Sequence, residues 1–122
     1  MTRWLLPALL AGCTGGADTT AALDFTSEIT PTPNRVGPAT LSFTLAEPSG
    51  TPVTGAQAKV EANMTHPGMV PVFATSTEPA PGRYEVPFEF TMGGDWYLLV
   101  DATLPDGRAF HRQIDVPAVR AN

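Results

Sequence analysis

Residues 63–69 read Asn-Met-Thr-His-Pro-Gly-Met. They place two thioethers, Met64 and Met69, around one imidazole, His66. Soft sulfur ligands together with imidazole select Cu(I) over hard cations. The Pro67-Gly68 pair is turn chemistry that folds the chain back and draws Met64, His66 and Met69 together. A closed zinc site asks for four ligands of Cys, His or carboxylate type, which this segment does not offer. Met92 lies two residues beyond Phe90, beside Gly93-Gly94, and becomes a fourth metal ligand if its turn shares an end of the fold with this loop. Connectivity decides that point. The same residues have a plainer reading. Loop methionines also plug the open end of a core, and a histidine before a proline also serves as a solvated turn residue.

Little else in the sequence carries chemistry. His111 stands alone, in strand phase with Ala109 and Gln113, as a surface residue. Glu85 and Glu89 share one strand face, which describes a solvated face better than an acid and base around a pocket. Gly-x-Ser-x-Gly is absent, and no glycine-rich phosphate loop precedes a helix. No enzyme is expected, and no catalytic residue is assigned. In 122 residues, 12 acids face 7 bases for a net charge of −5, which disfavours nucleic acid as a partner. The 43% hydrophobic content is too high for a disordered chain.

The elements that position the candidate ligands follow a period of two. Leu41, Phe43 and Leu45 alternate inward over 40–45. Ala56, Ala58, Val60 and Ala62 do so over 56–62, with Gln57, Lys59 and Glu61 outward. Tyr84, Val86, Phe88 and Phe90 alternate over 84–90, and Trp96, Leu98 and Val100 over 96–102. Phe110, Ile114 and Val116 mark a last strand, with Arg112 an odd polar member of its inner face. Phe25–Ile29 and Val70–Thr75 are weaker strands. Period-two segments of this length are half-buried strands. About seven of them, punctuated by Pro-Ser-Gly, Ala-Pro-Gly, Gly-Gly-Asp and Pro-Asp-Gly turns, predict an all-β fold, a small Ig-like antiparallel sandwich. Trp96 reads as a core anchor between the sheets; its indole face could also cap a cuprous ion. Pro87 within a strand predicts a sheet edge or a bulge.

The N-terminus reads as an address. Arg3 is followed by an apolar stretch and then by Leu10-Ala11-Gly12-Cys13, a lipobox-like cleavage site. Residues 1–12 are expected to be a lipoprotein signal peptide. Residues 13–22 would be a lipidated Cys13 and a flexible tether of small polar residues, and residues 23–122 the sandwich domain. The expected location is extracytoplasmic, with acylated Cys13 holding the chain to membrane lipid. Thr14 after the cysteine favours the outer membrane in a diderm cell. Lipidation would also consume the single cysteine, leaving no disulfide.

Four stretches together resemble the YtkA-like family, whose pattern is related to the FixH-type accessory proteins of respiratory oxidases. They are Asn34-Arg35-Val36-Gly37 with the following strand, Thr51–Ala56 leading into Val60, the Met64–Met69 loop, and Gly82–Phe90 through Thr91-Met92-Gly93-Gly94-Asp95-Trp96 to Val100. The resemblance implies a small extracytoplasmic sandwich with a metal-handling or envelope-accessory role. Members often carry Met-Pro-x-Met with a nearby histidine at this loop; here the order is Met-Thr-His-Pro-Gly-Met. The resemblance extends Cu(I) as cofactor to Met64, His66 and Met69, with a copper-accepting or other envelope protein as partner. The alternative expectation is a structural or protein-interaction module without metal, its loop methionines forming an apolar patch with Val70 and Val72.

Overall fold

The computed structural model describes residues 21–66 and 68–121. The expected signal peptide, Cys13 and most of the tether lie outside these residues. The described chain forms eight strands and no helix: β1 (Asp24–Thr30), β2 (Gly37–Ala46), β3 (Gln57–Met64), β4 (Val72–Thr75), β5 (Thr77–Ala80), β6 (Arg83–Phe90), β7 (Gly94–Thr103) and β8 (Ala109–Val119). They pair into two antiparallel four-stranded sheets, ordered β1-β2-β6-β5 and β4-β3-β7-β8. Lettered A, B, C, C′, D, E, F and G in chain order, these sheets are ABED and C′CFG, the arrangement of an Ig-like sandwich.

Alternation builds the interior. Leu41, Phe43 and Leu45 from β2 meet Val60, Leu98, Val100 and Phe110 from the other sheet in one buried cluster. Phe43 stacks on Tyr84 with ring centroids 5.3 Å apart, and Phe90 meets Trp96 edge-on at the same distance. Each such pair adds about 1 kcal/mol beyond its buried area. The cluster runs from Leu23 to Val119. The described residues therefore carry a hydrophobic core of their own.

One expectation is corrected, and two are filled in. The strand count is eight, because β5 runs Thr-Glu-Pro-Ala without alternation and pairs with β6 at only two positions. β6 is not an edge strand, since β2 and β5 flank it. Pro87 is tolerated there for a local reason. The Gly82 carbonyl accepts the Leu45 N–H, so the even-numbered residues of β6 bond β2. Pro87 faces the other way, beyond the last β5 partner, at Glu85. Arg112, the odd inner-face residue, is also accounted for: its guanidinium lies 5.0 Å from the Phe25 ring centroid and 5.3 Å from that of Phe110. The cation thus closes the edge of the core by cation–π contact while remaining in water.

Strand directions give the sandwich two poles. The near pole, where the chain enters at Leu23, carries the β2–β3 connection and the β5–β6 and β7–β8 turns. The far pole carries the β1–β2, β3–β4 and β6–β7 connections and residues 120–121. Polar side chains pin the near pole. Glu78 accepts the Gly55 N–H at 2.9 Å and the Gly82 N–H at 3.0 Å. The Tyr84 hydroxyl donates to the Val53 carbonyl at 2.7 Å and accepts the Ala56 N–H at 3.1 Å. Burial pushes the Tyr84 phenol above its ordinary range.

Arg108 grips Glu47 at 2.6 Å and Asp106 at 2.8 Å, tying the β7–β8 turn to the end of β2. The side-chain hydrogen bond from Arg108 holds Glu47 below the usual carboxylate range. For Asp106 the backbone N–H of Arg108 does most of the same. A carboxyl whose folded pKa is lowered stabilises the fold above its unfolded pKa and loses that effect as pH falls through the folded value. The gap in thermal midpoint between wild type and Arg108→Ala is therefore expected to be open at pH 6 and to close below about pH 4. A gap independent of pH would show that the clamp does not act through charge.

Candidate functional site

The strand ends decide where each candidate ligand lies. Met64 is the last residue of β3 and pairs with Trp96 near the start of β7. The β3–β4 loop that follows therefore leaves from the far pole, and so does the β6–β7 turn bearing Met92. The two connections are tied directly: the Thr65 N–H donates to the Asp95 carbonyl at 3.2 Å. Met92 thus shares its pole with Met64, His66 and Met69, which answers the question left open by the sequence.

The four side chains differ in exposure. Met64 is 8% exposed and belongs to the core. Its methyl end lies so close to Gly94 that a Cβ there would sit 2.9 Å away. Gly94 is thus what leaves room for this thioether. Met69 is half-buried and packs against the core, whereas His66 is exposed and Met92 is 47% exposed. The structure gathers the four at one pole, with one thioether beneath, one at the rim, and a thioether and an imidazole in water. Pro67, the residue expected to fold the loop back, lies outside the described residues.

Trp96 is buried against Phe90, and its indole N–H donates to the Met92 carbonyl at 2.9 Å. It is a core anchor that also fixes the Met92 turn. His111 is exposed, as expected, and pairs with Asp101 on the neighbouring strand. Among the described residues, no three His, Cys, Asp or Glu side chains gather to hold a metal ion.

One surface feature escaped the sequence reading, Phe73, which is 71% exposed in β4; Val70, expected in an apolar loop patch, is 80% exposed beside it. For Phe73 a signal existed: Val72 and Ala74 take the inward phase, which sends the phenyl outward.

Comparison with curated proteins finds no match. The fold resembles that of a DUF4426 family protein from Pseudomonas aeruginosa PAO1, with a TM-score of 0.60 at 12% identity over 82% of this chain and 93% of that one. A fibronectin type-III domain of human fibronectin type III domain containing protein 3 aligns with a TM-score of 0.43 at 17% identity, over 88% and 94% of the respective chains. The YtkA-like family matches residues 19–101, a span that takes in β1 to β6, most of β7 and all four far-pole candidates. On that match the chain belongs to the YtkA-like family.

Proposed function

We propose that this domain is an extracytoplasmic accessory module, anchored to membrane lipid through Cys13, that holds Cu(I) weakly and passes it to another envelope protein. The observation that carries the reading is the gathering of Met64, His66, Met69 and Met92 at one pole, away from where the chain enters. Thioether and imidazole are the donor set that Cu(I) prefers. His66 and Met92 lie in water, so an acceptor's ligand can reach the ion and displace them. Met69 at the rim supplies a third donor, and Met64 backs the site from the core. Under lipid anchoring the site faces away from the membrane, towards soluble or peripheral acceptors. The domain itself performs no reaction.

A Cu(I) competition titration on residues 19–122 tests this. Met64→Ala would open the core, so the informative variant changes the exposed ligands, His66→Ala with Met92→Ala. Wild type is expected to bind one Cu(I). The double variant is expected to bind at least about tenfold more weakly, a change of about 1.4 kcal/mol, with an unchanged far-ultraviolet spectrum. Absence of binding tighter than the buffer competitor in wild type overturns the copper reading.

A second reading rests on Val70, which stands 80% exposed beside the same loop. Exposed apolar residues clustered at one pole also suit a metal-independent contact with an envelope protein. In that case crosslinking in cells recovers one partner, and recovery falls with Val70→Ser but not with His66→Ala.

A further inference from the structure

Among the described residues, β4 has an unpaired edge. It bonds β3 on one side, with Ala62 facing Val72 through Lys59 facing Thr75. The Ser76 N–H just beyond it donates to the Ala58 carbonyl. Alternation along an antiparallel ladder then turns the backbone groups of Val72 and Ala74 towards β3. Those of Phe73 and Thr75 point outward, away from the sheet. Phe73 also exposes its phenyl at this edge, beside a groove of about 360 Å³ lined by Lys59, Glu61, Thr75 and Asp101. Another edge of the same molecule is guarded. β8 is covered at both ends, by Ala21 N–H on the Ala109 carbonyl and by Val36 N–H on the Arg120 carbonyl. Proteins commonly protect such edges; β4 instead offers an outward N–H and C=O pair twice over, next to an exposed aromatic ring.

We propose that β4 pairs antiparallel with β4 of a second copy, about a two-fold axis at Ala74, joining the two β4-β3-β7-β8 sheets into one. This register sets Phe73 opposite the partner's Thr75, and Thr75 opposite the partner's Phe73. Each of these pairs exchanges two N–H···O bonds, so all four outward donors and acceptors are used. The side-chain rows agree. Phe73 shares a row with Glu61, and Thr75 shares one with Lys59. Across the seam the row therefore runs Glu61, Phe73, the partner's Thr75 and the partner's Lys59. Opposite charges flank the seam on both sides of the axis. Each phenyl leans towards the partner's groove above Thr75 and Lys59. An axis at Phe73 instead would set Glu61 against the partner's Glu61 and bring Pro71, which has no N–H, opposite Thr75. Patch and groove lie on the same surface, as an isologous contact requires. The seam is short, so the dimer is a weak one that forms with rising concentration.

Sedimentation equilibrium on residues 19–122, a segment that contains the whole described core and no cysteine, reads this out. The mass is expected to rise from one chain towards two with concentration. Thr75→Pro removes one outward N–H without touching a β3 bond and is expected to abolish the rise. Phe73→Lys, changing a side chain already in water, gives the same result without altering the strand. Because about 14 Å separates Lys59 from the partner's Glu61, Lys59→Glu is expected to weaken the dimer at low salt only, and Lys59→Glu with Glu61→Lys to restore it. Ala74→Cys is expected to form an interchain disulfide on oxidation, because directly opposed residues of a non-bonded pair lie about 4.5 Å apart, within disulfide range. A chain that stays monomeric throughout overturns the proposal. So does a dimer indifferent to Phe73→Lys, or one that crosslinks through Ser27→Cys on β1 and not through Ala74→Cys.

Discussion

Phe90→Ala is expected to cost about 3–5 kcal/mol, a large share of the stability of a domain this size. Phe90 is fully buried and meets two aromatic neighbours edge-on, Phe88 at 4.9 Å and Trp96 at 5.3 Å. Removing the ring deletes both contacts and leaves a cavity beneath the turn that carries Met92. Trp96, whose indole holds the Met92 carbonyl, loses its support at the same time. In a domain of this size the loss lowers the thermal midpoint by roughly 15–30 °C. Urea denaturation with an unchanged m-value checks it. Phe90→Leu, which refills much of the space, is expected to recover more than half the loss. A penalty below about 1 kcal/mol for Phe90→Ala would mean that the far pole is not packed as described.

Gly82→Ala at the near pole is expected to cost about 3 kcal/mol by a different route. Gly82 has φ of 75°, in the left-handed region where a Cβ is strained. Space is also lacking. A Cβ there would lie 2.8 Å from Pro52 Cβ and 3.1 Å from the Leu45 carbonyl oxygen. Neither neighbour yields readily, one being a ring carbon and the other backbone. The residue is committed at both backbone groups as well, its N–H to Glu78 and its carbonyl to Leu45. Gly107 provides the comparison. Its φ is 93°, yet nothing lies within 4 Å of a Cβ built there. Gly107→Ala should therefore show the conformational cost alone, about 1–2 kcal/mol. Equal losses at the two glycines would remove the steric part of the argument.

The alternation that makes strands half-buried is written directly in the chain, and Tyr84, Val86, Phe88 and Phe90 could be assigned inward by phase alone. β5 could not. Its four residues have no alternation and are held by Glu78 to two backbone N–H groups, a contact set by three-dimensional proximity. Met64 is instructive in the other direction. The inward series Ala56, Ala58, Val60, Ala62 continues in phase to Met64, so its burial was legible. Ending the strand at Ala62 hid it and made Met64 look like a loop ligand equal to His66. Met92 could be placed only once strand direction was known, since a turn residue has no phase of its own. Arg112 broke the inner-face pattern because one of its two ring partners, Phe25, comes from β1 at the other end of the domain, although Phe110 is only two residues away on its own strand.

The pairing order has a kinetic consequence. Four of the pairings, β1–β2, β3–β4, β5–β6 and β7–β8, are hairpins between neighbours in the chain. Among the described strands, two seams, β2–β6 and β3–β7, join distant segments, with contacts such as Gly37 to Phe90. Hairpins close in about 1–10 μs, whereas all-β folds dominated by distant pairings complete in milliseconds to seconds. Both seams bring together the same two stretches, β2 with β3 and β6 with β7. One docking event therefore completes both sheets, and the barrier to folding is the meeting of those two stretches rather than the formation of any strand.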